Sequence, residues 1–225
     1  IQAIHRVRDH LVKERTATIN QIRGLLGENG ITIRQGASHV RKILPEIIGD
    51  QQNELSGCMR NLLRSRYEHL KHLDGQIREQ YITLQQIAKQ NDVCKRLQKM
   101  SGIGVISATM LLTVSGRPGD FKNGREFAAY LGLVPRQNST GGKQRLLGIT
   151  KRGNSAVRTS LIHGARAVLG SMKRGKKPYG DGRMTAWLQD LLERKASNQV
   201  CVALANKMAR IAWHLINFGV EFQAE

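Results

Sequence analysis

Apolar residues recur at helical spacing from the start of the chain. Ile4, Val7, Leu11, Ile19, Ile22 and Leu26 share one side, because positions three and four apart stack on the same face of an α-helix. The stripe predicts a helix from the first residue to Gly27, with Gly24, Gly27 and Gly30 ending it. A short helix follows over about Ser38 to Ile48, which Pro45 should break because proline offers no N–H to the preceding turn. Leu63, Leu70, Ile77 and Leu84 then return every seven residues, with Tyr67, Leu73, Tyr81 and Ile87 beside them, and predict one helix from about Asn53 to Gln98. A seven-residue apolar repeat is the seam of a coiled coil or an antiparallel hairpin. Arg66, Asp74 and Gln80 interrupt it. The pattern leaves an intramolecular hairpin and a dimer seam equally open, and a homo-oligomer built through the long helices is expected.

From Leu97 the pattern changes. LQKMSGIGVISATMLLTVS, Leu97 to Ser115, has the form of a helix-hairpin-helix, with a Gly-x-Gly turn at Gly102 and Gly104. Glycines let backbone approach a phosphate, and the following helix offers unpaired N–H groups to an anion. Lys95, Arg96 and Lys99 surround the turn. Asp120 stands where helix-hairpin-helix glycosylases carry a catalytic aspartate, but Pro118, Gly119 and Phe121 read as a loop before a helix over Gly124 to Tyr130, which sets that chemistry aside. The run GLVPRQNSTGGKQRLLGITKRGN, Gly132 to Asn154, places Ser139 and Thr140 ahead of Gly141 and Gly142. Read from the residues alone, this is either a turn joining two strands, or a strand and a helix, or a hydroxyl held beside a phosphate site. Ser171 to Gly182 is a basic loop with Tyr179 available to stack on a base, or a linker. Helices over about Met184 to Lys195 and Asn198 to Phe218 should pack on what precedes them through Trp187, Leu188, Leu191, Leu204, Met208, Ile211 and Leu215. The expected organisation is mostly α: a long-helix region over 1–96, a compact domain over 97–183, and packing helices over 184–225.

Charge sharpens this picture. The chain holds 36 Lys and Arg against 17 Asp and Glu, a formal +19, and such a surplus draws polyanions. Between Arg117 and Arg183 fifteen cations face three carboxylates, a net +12, so the charge gathers where the motifs lie. Arg136, Lys143, Arg145, Lys151, Arg152 and Arg158, with Gly102, Gly104, Gly141 and Gly142, are the expected nucleic-acid contacts. Cys58, Cys94 and Cys201 neither frame a disulfide scaffold nor show metal-ligand spacing, as expected of a reducing cytoplasm. His69 and His72 share a helix face without a third ligand nearby, so no metal site is expected from this chain. No apolar run approaches the roughly 20 residues needed to span a bilayer, and no secretory leader opens the chain, so a membrane role is not expected.

The succession GIG, then EFAAYLGLVPRQNSTGGKQRLLGITKRGNSAVRTSLIHGARAV, resembles the C-terminal transposase domain of the bacterial insertion-sequence family named IS-one-ten, related to the Piv DNA invertase. The likeness is dense over Leu97 to Val168 and looser on either side. It implies a serine nucleophile toward DNA in the turn after the Leu-x-Pro-Arg run, which is Ser139 here with Thr140 as its neighbouring alternative. It also implies an N-terminal RuvC-like domain with four acidic residues and Mg²⁺, a helical coiled coil between the two, and an element-encoded structured RNA that bridges donor and target DNA. This chain opens at Ile1 inside the helical stripe, and Glu14, Glu28, Glu46 and Asp50 do not cluster. The acidic domain is therefore expected to be absent, Mg²⁺ is expected only of that domain, and a fragment inactive by itself follows.

Three functions remain to be separated. One is DNA transposition through strand cleavage and rejoining at a serine; the second is a non-catalytic helix-hairpin-helix protein, or an inactive remnant, that binds nucleic acid by shape. A basic helical assembly module is the third. Covalent trapping on DNA separates the first from the second, because only a nucleophile leaves an adduct.

Overall fold

A computed structural model of the chain describes residues 1–114, 120–143 and 145–223. Arg117, Pro118 and Gly119 of the basic segment lie outside the described residues. Among the described residues nine helices and one two-stranded sheet make the chain mostly α. The helices are α1 (Gln2–Glu28), α2 (Ala37–Gly49), α3 (Gly57–Gln90), α4 (Asp92–Gln98), α5 (Val105–Val114) and α6 (Gly124–Tyr130). Strands β1 (Pro135–Gln137) and β2 (Leu146–Ile149) follow, then α7 (Ser155–Lys173), α8 (Arg183–Arg194) and α9 (Ser197–Phe218). Packing divides them into two units, Gln2–Thr83 and Leu84–Glu225, the second also counting Ile1.

In the first unit the stripe of α1 is buried against α2 and α3. Ile19, Ile22 and Leu26 meet Val40, Leu44 and Ile48 of α2 and Leu63 and Leu70 of α3. Leu11 packs with Leu73 and Ile77. Leu63 and Leu70 are fully buried and Ile77 is nearly so. Leu63, Leu70 and Ile77 of the seven-residue stripe are thus covered by helices of their own chain, as in the intramolecular alternative. Asp74, which interrupts the apolar pattern, takes a two-pronged hydrogen bond from Arg41 (2.6 and 2.7 Å) and one from Arg15 (3.4 Å). Burial raises its carboxyl, but those two guanidinium partners outweigh burial and hold it below the usual carboxylate range.

Three expected helix boundaries are corrected. Pro45 lies inside α2 without breaking it; the carbonyl of Arg41, which proline cannot bond four residues on, accepts from the Tyr67 hydroxyl at 3.5 Å instead. Gly24 and Gly27 stay helical and only Gly30 ends α1, with φ 74° and the Ile31 N–H returned to the Leu26 carbonyl. The long helix stops at Gln90, because the Asn91 side chain caps a new helix by accepting from the Cys94 N–H.

The second unit is built around α9. Its buried face, Val200, Leu204, Ala205, Met208, Ala209, Ala212 and Leu215, packs against α4, α6, α7 and α8. The turn between α4 and α5 is pressed against α7 and α9. Gly102 (φ 90°) and Gly164 meet so closely that a Cβ on Gly164 would fall 2.0 Å from the Gly102 carbonyl oxygen. Ser107 of α5 and Ser160 of α7 share a hydrogen bond of 2.7 Å in the same layer. Residues 97–183 and 184–225 therefore draw on one core.

Ser171 to Gly182 is not a free linker. Tyr179 is buried to 2 % exposure, its hydroxyl donates to the Ser101 carbonyl at 2.7 Å, and its ring meets Phe222 edge-on. The stacking role expected of it is corrected, since neither face is available to a base. Burial pushes its hydroxyl pKa up.

Candidate nucleic-acid interface

The densest motif of the sequence forms an exposed β-hairpin. β1 and β2 pair antiparallel, with Pro135 opposite Ile149 and Gln137 opposite Leu146. A bridge between Thr140 and Lys143 closes the tip. Gly141 and Gly142 both take positive φ, 57° and 76°, and the Lys143 N–H returns to the Thr140 carbonyl at 3.1 Å. Two consecutive positive φ angles define a tight hairpin turn that residues with a Cβ adopt poorly. Open space surrounds both glycines. Of the two local readings, the turn joins two strands, and it holds Ser139 and Thr140 at the exposed end.

The root of the hairpin is anchored. Thr150 N–H bonds to the Val134 carbonyl, Lys151 N–H to the Gly132 carbonyl, and the Asn206 amide of α9 donates to the Leu133 carbonyl at 3.2 Å. A Cβ on Gly132 or Gly153 would strike backbone of Arg152 or Tyr130, so the two turns on either side of the hairpin are locked together. Arg158 completes this lock. It is 9 % exposed and donates through Nη1 to the carbonyls of Leu131 (3.0 Å) and Arg152 (2.8 Å). Its expected place at the nucleic-acid surface is corrected: the guanidinium faces inward because two carbonyls of the hairpin root need a donor there.

The remaining expected contacts divide. Arg136, Lys143, Arg145, Lys151 and Arg152 are all exposed on or beside the hairpin. Gly104 is exposed with open space around it, whereas Gly102 owes its identity to the close approach of α7. Gln137 donates to Ser139 Oγ at 2.8 Å. Among the described residues no imidazole or carboxylate is hydrogen-bonded to Ser139 or Thr140, and no three His, Cys, Asp or Glu side chains gather to hold an ion. His69 instead lies 3.1 Å from Glu14. Mg²⁺ therefore has no fitting ligand set in these residues. Cys58, Cys94 and Cys201 are free thiols, and burial pushes Cys94 up to about 11.

A second basic feature was not foreseen. An open groove of about 1540 Å³ runs between the hairpin and α9. One wall is α9, with Lys207, Arg210 and Trp213; the other is β2, with Leu146 and Leu147. Arg125 of α6, Lys151 and Trp187 of α8 complete its lining. The Lys207 ammonium rests over the Trp187 ring, 4.2 Å from its centre. The sequence pattern assigns α8 and α9 to packing, Trp187 included, and gives no role to Lys207, Arg210 and Trp213. The signal was present: α9 spans 22 residues without one Asp or Glu, while Lys207 and Arg210 share a face.

No helix among the described residues is long and apolar enough to cross a membrane. The hairpin, its anchored root and the helices around them form one helical domain that displays a basic, hydroxyl-bearing turn. Residues 94–180, from α4 to the Tyr179 turn, match the family described as Transposase IS116/IS110/IS902 family. The chain is 42% identical over 216 residues to the transposase for insertion sequence element IS1111A of Coxiella burnetii, which covers 96% of this chain and 58% of that protein. It is 38% identical over 224 residues to the transposase for insertion sequence element IS1328 of Yersinia enterocolitica, covering 99% of this chain and 64% of that protein. The chain carries the transposase domain of the IS116/IS110/IS902 family, and it spans about six tenths of the length of these curated relatives.

Proposed function

We propose that this chain is the DNA-binding and strand-exchanging part of an insertion-sequence transposase, with Ser139 as nucleophile. The observation that carries the proposal is the hairpin tip. It holds a primary hydroxyl in the open, beside two glycines that let a phosphate approach and among Arg136, Lys143 and Arg145, whose charge offsets that developing on phosphorus. In the step, Ser139 Oγ bonds to a backbone phosphorus, one P–O ester bond breaks, and the departing strand leaves as an alcohol once protonated. Attack by the hydroxyl of another strand reverses the linkage and restores the serine. The serine proton leaves to a base outside the hairpin, because Gln137 is a donor to Oγ and accepts nothing from it. Thr140 is the alternative nucleophile, disfavoured by its branched Cβ. DNA and an element-encoded structured RNA are the partners of this reading. Self-association would use exposed apolar groups of the long helices, Val7, Leu62 and Ile82, since the heptad leucines are already buried.

The test is covalent trapping on DNA by this chain joined to the N-terminal part of a related full-length transposase. Ser139→Ala should abolish the protein–DNA adduct and strand exchange while leaving nucleic-acid affinity nearly unchanged, because one neutral hydroxyl adds little beside so many cations. Adduct formation that survives Ser139→Ala and vanishes in Thr140→Ala would transfer the role to Thr140; survival in both would reject a hydroxyl nucleophile.

A further inference from the structure

The groove between the hairpin and α9 differs in chemistry from the hairpin tip. Its lining carries Arg125, Lys151, Lys207 and Arg210 and, among the described residues, no carboxylate. Both tryptophans of the chain, Trp187 and Trp213, lie in it. Leu146 is 63% exposed there although aliphatic. Cations alone would suit the outside of a duplex, whose bases are stacked away from protein. Cations interleaved with indole rings and exposed aliphatic groups suit a strand whose bases are free to leave the stack.

We propose that this groove holds an unpaired stretch of DNA, with phosphates on Arg125, Lys151, Lys207 and Arg210 and bases against Trp187 and Trp213. The proposal rests on the reading of the chain as a protein that rearranges DNA strands. Continuity favours DNA as the occupant: β2 forms one wall of the groove and leads directly to the tip that carries Ser139. A strand lying along β2 is thereby delivered to the hydroxyl. From Asn198 to His214 the wall of α9 is about 24 Å long, at about 1.5 Å per residue, enough for several nucleotides. Lys207 and Arg210 are one helical turn apart with no carboxylate bridging them among the described residues. Burial, then the charge of Arg210, holds the Lys207 ammonium below its ordinary range. A phosphate between the two would remove that like-charge cost.

Because both tryptophans line the groove, their emission reads its occupancy. The experiment is titration of the intact chain with oligothymidylate of roughly 12 nucleotides, within the range of single-strand sites, followed by tryptophan emission and by anisotropy of the labelled oligonucleotide. Oligothymidylate should quench the emission with the same midpoint as the anisotropy, and a duplex of equal length should not. The double variant Lys207→Ala, Arg210→Ala should lower the slope of log affinity against log salt by about 1.4, at about 0.7 for each single-strand phosphate no longer neutralised. Arg125→Gln, an exposed change on α6, should lower it by about 0.7 and keeps the test valid if the double variant fails to fold. Trp187→Ala should weaken binding by roughly 5- to 150-fold, the worth of one stacked base. Binding seen by anisotropy with emission unmoved, or slopes unchanged in the variants, overturns the groove while leaving DNA binding intact. Failure of both single-stranded and duplex DNA to bind removes the reading underneath it. Quenching by oligouridylate at lower concentration than by oligothymidylate overturns DNA as the occupant.

Discussion

Replacing Arg158 by methionine keeps a long apolar stem and removes the cation that holds the root of the hairpin. Two hydrogen bonds are lost, to the carbonyls of Leu131 at 3.0 Å and Arg152 at 2.8 Å. Bonds from a charged donor contribute about 1.5–3 kcal/mol each, and a carbonyl stranded away from water adds a cost of its own. Relaxation of the turn toward solvent recovers part of this, which leaves a net loss of about 3–5 kcal/mol. With a urea dependence of about 2 kcal/mol per molar, the unfolding midpoint should fall on the order of 2 M. Tryptophan emission is the assay, because Trp187 and Trp213 both lie in the unit formed by Leu84–Glu225 and report it alone. The salt slope of DNA binding, measured well below the new midpoint, should not change. Arg136→Ala should do the reverse, lowering the slope by about 0.7–0.9 and moving stability by less than about 0.5 kcal/mol. An Arg158→Met protein of unchanged midpoint and reduced salt slope would refute the reasoning and return this arginine to the binding surface.

Two further outcomes concern the helical unit. Asp74 is held below the usual carboxylate range by Arg41 and Arg15 against the opposing effect of its own burial. A depressed carboxylate contributes stability that is present above its unfolded pKa and is lost as pH falls through its folded one; unfolding followed by far-UV circular dichroism should therefore show an acid limb that Asp74→Asn flattens, and an identical limb in both proteins would refute the ion pair as its source. Leu70→Lys should unfold Gln2–Thr83 rather than yield a folded monomer, since Leu70 is fully buried among α1 and α2 residues and an unpaired ammonium there costs several kcal/mol; a monomeric, fully helical variant would show instead that the leucine faces a second chain.

What could be read from the sequence was what local chemistry dictates. The helical period located α1, α8 and α9 within a few residues and α3 except for its end, which overran the Asn91 cap, and two glycines behind Ser139 and Thr140 located the turn, because periodicity and positive φ depend on neighbours in the chain. The mistaken assignments share a different cause. Arg158 and Tyr179 sit in the basic segment and Gly102 in the Gly-x-Gly turn before it; all three meet backbone distant in sequence, at Leu131, Ser101 and Gly164, and Arg158 also caps the nearer Arg152 carbonyl. Charge composition cannot separate a guanidinium that meets a phosphate from one that caps two carbonyls. Lys207 and Arg210 erred in the opposite direction: they lie on a helix whose other face is core, and only the placement of the hairpin beside that helix shows what their exposed face adjoins.

The same placement bears on how the chemistry is divided. A phosphoryl transfer at Ser139 needs a hydroxyl, charge to stabilise the phosphorus, and a base for the proton. The hairpin provides the hydroxyl and the charge, yet Ser139 Oγ is met by an amide donor and no acid–base group touches it among the described residues. Nor do carboxylates collect anywhere among those residues in a form that would bind an ion. A tip so exposed is poorly suited to exclude water by itself, and well suited to enter a site completed by another surface. On the proposed serine mechanism the proton acceptor has to come from outside the hairpin, and Gly141 and Gly142, with nothing packed against them, leave room for it. That mechanism predicts no protein–DNA adduct from the isolated chain, since a free serine is a weak nucleophile, and an adduct only where strand, cations and base meet at the turn.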